Sequence, residues 1–169
     1  MKKTLFLLII FCSFTSLVVA QNNQLDSASY DFWLGKWDAK WENANGTTGT
    51  GSNHIFKVLD GTVIEENFSI TGGAQAGFLG KSISVMDTNG QWHQAWVDNQ
   101  GGYIDFTGEQ LGEKKIFKTK LVERDGKKII QRMVFYDIKE DSFLWDWEGT
   151  QDDGATWNLL WRINYTRQK

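Results

Sequence analysis

Potential hairpin turns recur along almost the whole chain after residue 31. Asp-Gly and Asn-Gly pairs readily adopt the positive φ angles that tight β-hairpins require. Such pairs, or related glycine-containing clusters, are Asp60-Gly61, Asn89-Gly90, Asn99-Gln100-Gly101-Gly102, Asp125-Gly126 and Asp152-Asp153-Gly154. The spacing of these turns allows only short strands between them and predicts an antiparallel β-meander.

Between these turns lie segments of alternating or β-branched and aromatic residues. The segments are Trp37–Glu42, Thr50–Val58, Thr62–Ile70, Phe78–Asp87, Gln91–Asp98, Tyr103–Glu109, Lys115–Arg124, Lys128–Ile138, Phe143–Thr150 and Thr156–Arg167. A meander that closes on itself has no unpaired edge strands. We therefore predict an all-β fold, a single antiparallel up-and-down β-barrel of about ten strands over residues 31–169.

Three tryptophans, Trp33, Trp37 and Trp41, are spaced four residues apart near the start of the domain. This spacing fits one face of a helix, but it also fits one face of a strand, where side chains alternate with a period of two. Gly35 interrupts a helix here. We predict a short helical turn over residues 27–34 that carries Trp33, followed by a first strand with Trp37 and Trp41 on one face.

The first twenty residues have the pattern of a secretory signal peptide. Lys2 and Lys3 precede an apolar run, Leu5–Phe11, and Ala20 offers a small residue at a cleavage point before Gln21. We predict a signal peptide over residues 1–20 cleaved after Ala20, a flexible segment over 21–30, and a secreted or periplasmic protein. The alternative is an uncleaved N-terminal anchor.

Composition narrows the classes of function. The single cysteine, Cys12, lies in the predicted signal peptide, so the mature chain has no disulfide or thiolate site. A net charge of −3 argues against a nucleic-acid-binding protein. We expect no stable membrane insertion and a monomer or weak dimer. His54 and His93 have no zinc-like spacing, and we assign no metal, cofactor or catalytic residue.

Alternation also sorts the side chains of each predicted strand into an inward and an outward set. The inward sets are Trp37 and Trp41; Ile64, Glu66, Phe68 and Ile70; Trp92, Gln94, Trp96 and Asp98; Phe143, Trp145 and Trp147; and Trp157, Leu159, Trp161, Ile163 and Tyr165. The two faces of residues 128–138 are not distinct, which leaves the orientation of Arg132 open.

Four short segments occur in an order and spacing that resemble a known family. They are Asp31-Phe32-Trp33-Leu34-Gly35-Lys36-Trp37, Leu59-Asp60-Gly61-Thr62-Val63-Ile64-Glu65-Glu66, Trp92-His93-Gln94-Ala95-Trp96-Val97-Asp98 and Asp152-Asp153-Gly154-Ala155-Thr156-Trp157. The set resembles bacterial proteins of unknown function with a lipocalin-like (calycin-type) barrel. The resemblance implies a barrel with a cavity, and no established reaction or cofactor. The sequence also distantly resembles nitrobindin-type haem-binding barrels. No residue in it matches the histidine that holds haem in those proteins.

Residues 150–157 also match the Asp-box pattern, Ser/Thr-x-Asp-x-Gly-x-Thr-Trp. In that motif the aspartate, here Asp152, holds a hairpin turn and the tryptophan, here Trp157, packs beneath it. Sialidase propellers repeat the motif, whereas this sequence has one copy. We therefore interpret Asp152 as a turn residue.

Nine tryptophans and eleven phenylalanines are the one compositional excess. They either fill the barrel or line a pocket. If they line a pocket, a small apolar or aromatic ligand can bind inside the barrel, and this is our prediction. The candidate ligand-binding residues are Trp37, Trp41, Glu66, Phe68, Gln94, Trp96, Arg132, Trp147 and Trp161.

Glu66 is the strongest candidate for a functional residue, because a buried carboxylate must be paired, hydrogen-bonded or neutral. It anchors a ligand, serves as an acid or base, or is a structural group bonded to an indole or to Arg132. An isomerase or cyclase using Glu66, and a carbohydrate- or partner-binding module, are the alternative functions. A raised Glu66 pKa would favour the enzyme, and an exposed planar row of tryptophans would favour sugar binding.

Overall fold

The computed structural model describes residues 25–169, so the predicted signal peptide and residues 21–24 lie outside the described residues. Among these residues, the first element is a 3₁₀ helix at Asp31–Trp33, and all the others are strands. They are β1 (Gly35–Glu42), β2 (Thr48–Val58), β3 (Val63–Gly72), β4 (Leu79–Met86), β5 (Trp92–Asp98), β6 (Tyr103–Leu111), β7 (Lys114–Lys118), β8 (Val122–Arg124), β9 (Lys127–Lys139), β10 (Ser142–Thr150) and β11 (Asn158–Arg167).

Ten of these strands close into an antiparallel barrel. The hydrogen-bonded order is β10-β11-β1-β2-β3-β4-β5-β6-β7-β9, and a further β9–β10 ladder joins the two ends. The predicted all-β barrel of about ten strands is confirmed. Closure pairs every barrel strand on both sides, which removes the exposed edges that an open sheet would present.

The predicted strand Lys115–Arg124 is in fact two strands, β7 and β8. Thr119 still donates its N–H to the carbonyl of Gln131 at 2.9 Å, and the chain then leaves the barrel wall. Strand β8 pairs only with β9, through a hairpin whose turn residues Asp125 and Gly126 have φ angles of 52° and 71°. This turn has the Asp-Gly chemistry that a two-residue hairpin requires.

The inward set predicted for β11 holds for part of the strand. A bulge shifts the β10–β11 register between Trp147 and Glu148, so that Trp147 lies opposite Trp161 while Glu148 lies opposite Leu159. A bulge adds one residue and moves the side chains beyond it to the other face. Leu159 is accordingly 50% exposed, and its predicted inward orientation is wrong. The predicted inward orientation of Trp157 is also wrong, because its ring packs against Arg132 on the outer face of the barrel.

One end of the barrel is closed by an aromatic plug, which we define as Tyr30, Trp33, Trp37, Phe117 and Phe135. All five side chains are buried. The Tyr30 hydroxyl donates to the carbonyl of Ile116 at 2.8 Å, and Trp37 Nε1 donates to the carbonyl of Trp33 at 2.8 Å. The Tyr30 ring stacks on Phe117 with centroids 4.4 Å apart.

Tyr30 belongs to the segment for which the sequence predicts flexibility, yet its exposed fraction is 0%. The 3₁₀ helix that follows it brings Trp33 into the same plug, which agrees with the short helical turn predicted there. This three-residue element is the only helix within residues 25–169. It is too short to cross a membrane.

Candidate ligand-binding cavity

A cavity of about 200 Å³ lies at the end of the barrel opposite the plug. Strands β5 and β10 both run from the plug to the cavity. Along β5, Trp92 packs against Tyr30 of the plug and Trp96 lines the cavity. Along β10, Phe143 packs against Trp37 of the plug, and Trp145 and Trp147 line the cavity. The lining residues are Glu66, Phe68, Phe78, Trp96, Ile104, Phe106, Met133, Trp145, Trp147, Trp161, Ile163 and Tyr165.

Aromatic rings form the cavity walls at several angles. The rings of Trp145 and Trp147 are nearly parallel, with 8° between their planes and centroids 6.4 Å apart. Trp161 meets Trp145 edge-on at 5.6 Å, and Phe106 meets Trp147 edge-on at 5.9 Å. These indoles are half-buried, in contrast to the fully buried tryptophans of the plug.

Glu66, on β3, is the polar group of the cavity. Its side chain is held from both neighbouring strands: Asn53 Nδ2 of β2 donates to Oε1 at 2.6 Å, and Ser82 Oγ of β4 donates to Oε2 at 2.7 Å. Ser82 lies directly opposite Glu66 in the β3–β4 register. Inward alternation on three adjacent strands therefore brings these three polar side chains together.

The environment of Glu66 changes its ionisation. Burial raises the pKa of the Glu66 carboxyl from its ordinary value of 4.5 to about 7, although the hydrogen bonds from Ser82 and Asn53 act in the opposite direction. Burial, and then the Glu66 charge, hold the pKa of Tyr165 well above its usual range. At neutral pH Tyr165 is a neutral phenol and Glu66 exists in both protonation states.

Two further buried polar side chains, Ser84 and Gln94, lie next to this group along the barrel wall. Gln94 Nε2 donates to Ser84 Oγ at 2.9 Å, and the two residues face each other in the β4–β5 register. Gln94 Oε1 and Asn53 Oδ1 have no hydrogen-bond partner among residues 25–169. Within the same range, His, Asp and Glu side chains form no group of three that could hold a metal ion.

The structure brings five of the proposed ligand-binding residues together at the cavity: Glu66, Phe68, Trp96, Trp147 and Trp161. Trp37 lies in the plug. Trp41 is buried on the inward face of β1 but does not line the cavity; its ring centroid is 5.1 Å from that of Trp161, and its Nε1 donates to Asn43 Oδ1 at 3.1 Å. Gln94 is inward but is bonded to Ser84 and does not line the cavity.

Arg132 lies on the outer side of the wall. It is opposite Glu148 in the β9–β10 register, whereas the adjacent pair, Met133 and Trp147, faces the cavity. Arg132 Nε donates to Glu148 Oε2 at 2.7 Å, and its guanidinium lies 3.7 Å from the centroid of the Trp157 ring. The guanidinium therefore does not reach Glu66, contrary to one interpretation of the sequence.

Several cavity residues were not proposed from the sequence. The inward sets already contained Trp145, Ile163 and Tyr165, so alternation was a usable signal for them. Asn53 and Ser82 hold the Glu66 carboxyl, but strand register decides this, and register cannot be read from one strand alone. The other residues missed were Phe78, Ile104, Phe106 and Met133.

Comparison with known proteins adds little to this description. No protein-family model matches the chain, and no curated protein does. Among solved structures, the chain is similar to a redesigned β-barrel, with 14% identity and a TM-score of 0.43 over 86% of this chain and 99% of that one. The lipocalin-like and nitrobindin-type resemblances therefore stay predictions.

Proposed function

We propose that the protein binds a small, largely apolar or aromatic ligand in the cavity. The observation that supports this most is the contrast between aromatic walls and a single carboxyl group, Glu66, in one partly open cavity of about 200 Å³. A dry cavity of about 150 Å³ is large enough to bind benzene. The ligand that fits is one aromatic ring, or a chain of similar volume, with one polar group.

The two ends of the barrel are packed unequally. This supports a binding site lined by aromatic residues over a core that these residues simply fill. The plug uses the same residue types as the cavity walls, and Trp37 and Phe117 are completely buried there. Unfilled volume in an apolar core lowers stability by roughly 24 cal/mol per Å³. A fold that packs one end this tightly and leaves space at the other is consistent with a retained binding site.

A cavity-filling substitution tests this proposal. Ile104 lines the cavity from β6, and Ile104→Trp would occupy part of its volume. Ile83 on β4 faces outward and is 39% exposed, so Ile83→Trp adds the same indole on the outside as a matched control. With 2-phenylethanol as the probe, calorimetry should show binding to wild type and Ile83→Trp, and at least about tenfold weaker binding to Ile104→Trp. Equal affinity of all three proteins would contradict the proposal.

Export is part of the same proposal. The positive residues Lys2 and Lys3, the apolar run Leu5–Phe11 and the small residue Ala20 support a cleaved signal peptide and a secreted or periplasmic binding protein.

A second candidate function, an enzyme that uses Glu66 as acid or base, is favoured by one observation. A carboxyl with a pKa of about 7 can both donate and accept a proton at neutral pH. Native mass spectrometry of protein purified from its host would identify a retained molecule. Incubating that molecule with wild type and Glu66→Gln, with NMR as the readout, separates conversion from unchanged binding.

The carbohydrate-stacking alternative has less support. A sugar-binding platform would present tryptophan rings in an exposed row, whereas every tryptophan among residues 25–169 is buried or half-buried. The cavity indoles of Trp145, Trp147 and Trp161 are instead half-buried and pack against one another on the neighbouring strands β10 and β11.

A further inference from the structure

We infer that the cavity selects a small aromatic or alkyl amine, bound as an ammonium ion with its nitrogen at Glu66 and its apolar part against the tryptophan walls. This inference deepens the proposed binding function and rests on it. It names the charge that the ligand carries, which the apolar walls alone do not determine.

The charge balance of the cavity is the first argument. Among the residues described, the lining contains one carboxyl, Glu66, and no lysine, arginine or histidine. The arginines of β9 and β11 are paired on the outer face of the barrel. Arg132 is bonded to Glu148, and Arg162 donates two hydrogen bonds to Asp146 at 2.7 and 2.6 Å. An anionic ligand would find no positive partner here, and burying an unpaired charge is costly.

The hydrogen-bond capacity of Glu66 is the second argument. A carboxylate has about four acceptor sites. Asn53 and Ser82 occupy one on each oxygen, which leaves acceptor capacity and no donor when the group is ionised. An ammonium group is a pure donor with about three N–H bonds, so it complements this arrangement. A charge-assisted hydrogen bond of this kind is roughly twice as strong as a neutral one.

The orientation of the walls is the third argument. The face of an aromatic ring attracts a cation, and tryptophan does so most strongly. The nearly parallel Trp145 and Trp147, with Trp161 edge-on to Trp145 at 85°, form one wall from β10 and β11, and β5 adds the indole of Trp96. Aromatic walls beside a carboxylate match the chemistry of a protonated amine.

Proton linkage follows from the same geometry. Asn53 from β2 and Ser82 from β4 do not titrate, and Tyr165 from β11 stays neutral, so Glu66 is the group that changes charge. Because the pKa of Glu66 is about 7, the ammonium pairs with a carboxylate that is half protonated at neutral pH. Affinity for an amine should therefore rise with pH up to about 7, approaching tenfold per pH unit below it, and binding should release a proton.

Three probes of the same shape test the inference at pH 8: 2-phenylethylamine, 2-phenylethanol and 3-phenylpropanoate, which end in a cation, a neutral hydroxyl and an anion. We expect calorimetry to show the amine binding at least about tenfold more tightly than the alcohol, and the acid binding least. Glu66→Gln should remove the preference for the amine, so that the amine binds no more tightly than the alcohol.

The matched control is Glu65→Gln, the same change on the neighbouring residue. Glu65 faces outward and accepts from Lys81 Nζ at 2.6 Å, so the amine preference should persist in this variant. If Glu66→Gln fails to fold, amine affinity measured on wild type from pH 5.5 to 8 serves instead, with the alcohol as the pH-independent reference.

Equal binding of amine and alcohol, or tighter binding of the acid, would overturn the inference and leave the proposed binding function standing. A flat pH profile for the amine would also overturn it. Failure of all three probes to bind wild type would overturn the inference and the proposed function together.

Discussion

Ser82 and Glu66 lie directly opposite each other on β4 and β3, and the Ser82 hydroxyl donates to Glu66 Oε2 at 2.7 Å. This bond favours the ionised form of a carboxyl that burial would otherwise keep protonated. The serine therefore adjusts the proton affinity of the one carboxyl in the cavity.

We expect Ser82→Ala to raise the pKa of Glu66 further, by about one pH unit, because a hydrogen bond to a charged group is lost. NMR titration of the Glu66 side-chain carboxyl measures this directly. Ser84→Ala is the control, since Ser84 is equally buried but bonds to Gln94. An unchanged Glu66 pKa in Ser82→Ala would show that the hydroxyl has no such role.

The ionisation of Glu66 should also make stability depend on pH. Its pKa is raised in the folded state, so the folded protein holds a proton between about pH 4.5 and 7 that the unfolded chain has released. The Glu66 contribution to stability is therefore greatest below this range and falls as pH rises through it, by about 2–3 kcal/mol between pH 5 and pH 8.

Urea unfolding of wild type and Glu66→Gln at these two pH values measures the Glu66 share of this loss. The difference in unfolding free energy between the two proteins should shift by that amount in favour of the variant at pH 8. Glu65→Gln should retain the wild-type dependence, because the Glu65 carboxyl is paired with Lys81 at the surface. A constant difference between wild type and Glu66→Gln would contradict the prediction.

The barrel could be predicted from sequence because turn chemistry and alternation are local properties. Asp125-Gly126 marks a hairpin by its composition, and Phe68, Trp96, Trp147 and Trp161 face inward by parity. Parity does not give height along the barrel axis, however. Trp37 lies on the inward face of β1, as expected, and nevertheless belongs to the plug at the other end.

The other differences between the sequence predictions and the structure arise from contacts between strands. Met133 and Val134 on β9 are both buried although they point to opposite sides, so burial preference could not orient their neighbour Arg132. The bulge beside Trp147 reversed the parity of Leu159, and nothing in the sequence marks that extra residue. The Glu66 carboxyl was identified from its neighbours Ile64 and Phe68, while its partners Asn53 and Ser82 depended on register.

The cleavage point after Ala20 is directly testable on exported protein. We expect an intact mass corresponding to residues 21–169, because a small residue precedes the cleaved bond. Ala20→Leu places a larger side chain there and should leave most of the protein uncleaved, whereas the downstream change Asn23→Leu should have no such effect. Recovery of wild-type protein in the membrane fraction with residues 1–20 attached would favour the anchor instead.

Asp152 makes the opposite kind of pH contribution from Glu66. Its carboxylate accepts hydrogen bonds from the hydroxyls of Thr150 and Thr156 and from the Thr156 N–H, and these bonds lower its pKa to about 2. A lowered pKa stabilises the fold above the ordinary aspartate range, and the benefit is lost as pH falls toward 2. We therefore expect Asp152→Asn to lower the thermal midpoint at pH 7 by about 3 °C, with a smaller difference near pH 2.

Asp153→Asn is the matched control for this turn. Asp153 is adjacent, has a φ angle of 63° that asparagine tolerates, and contributes one exposed ion pair with Lys128 at 3.1 Å. Exposed pairs of this kind add little stability, so its midpoint should stay close to wild type. Because Asp152 holds a turn outside the cavity, both variants should bind 2-phenylethanol as wild type does. A loss of binding in Asp152→Asn without a loss of stability would instead assign the residue to a ligand site.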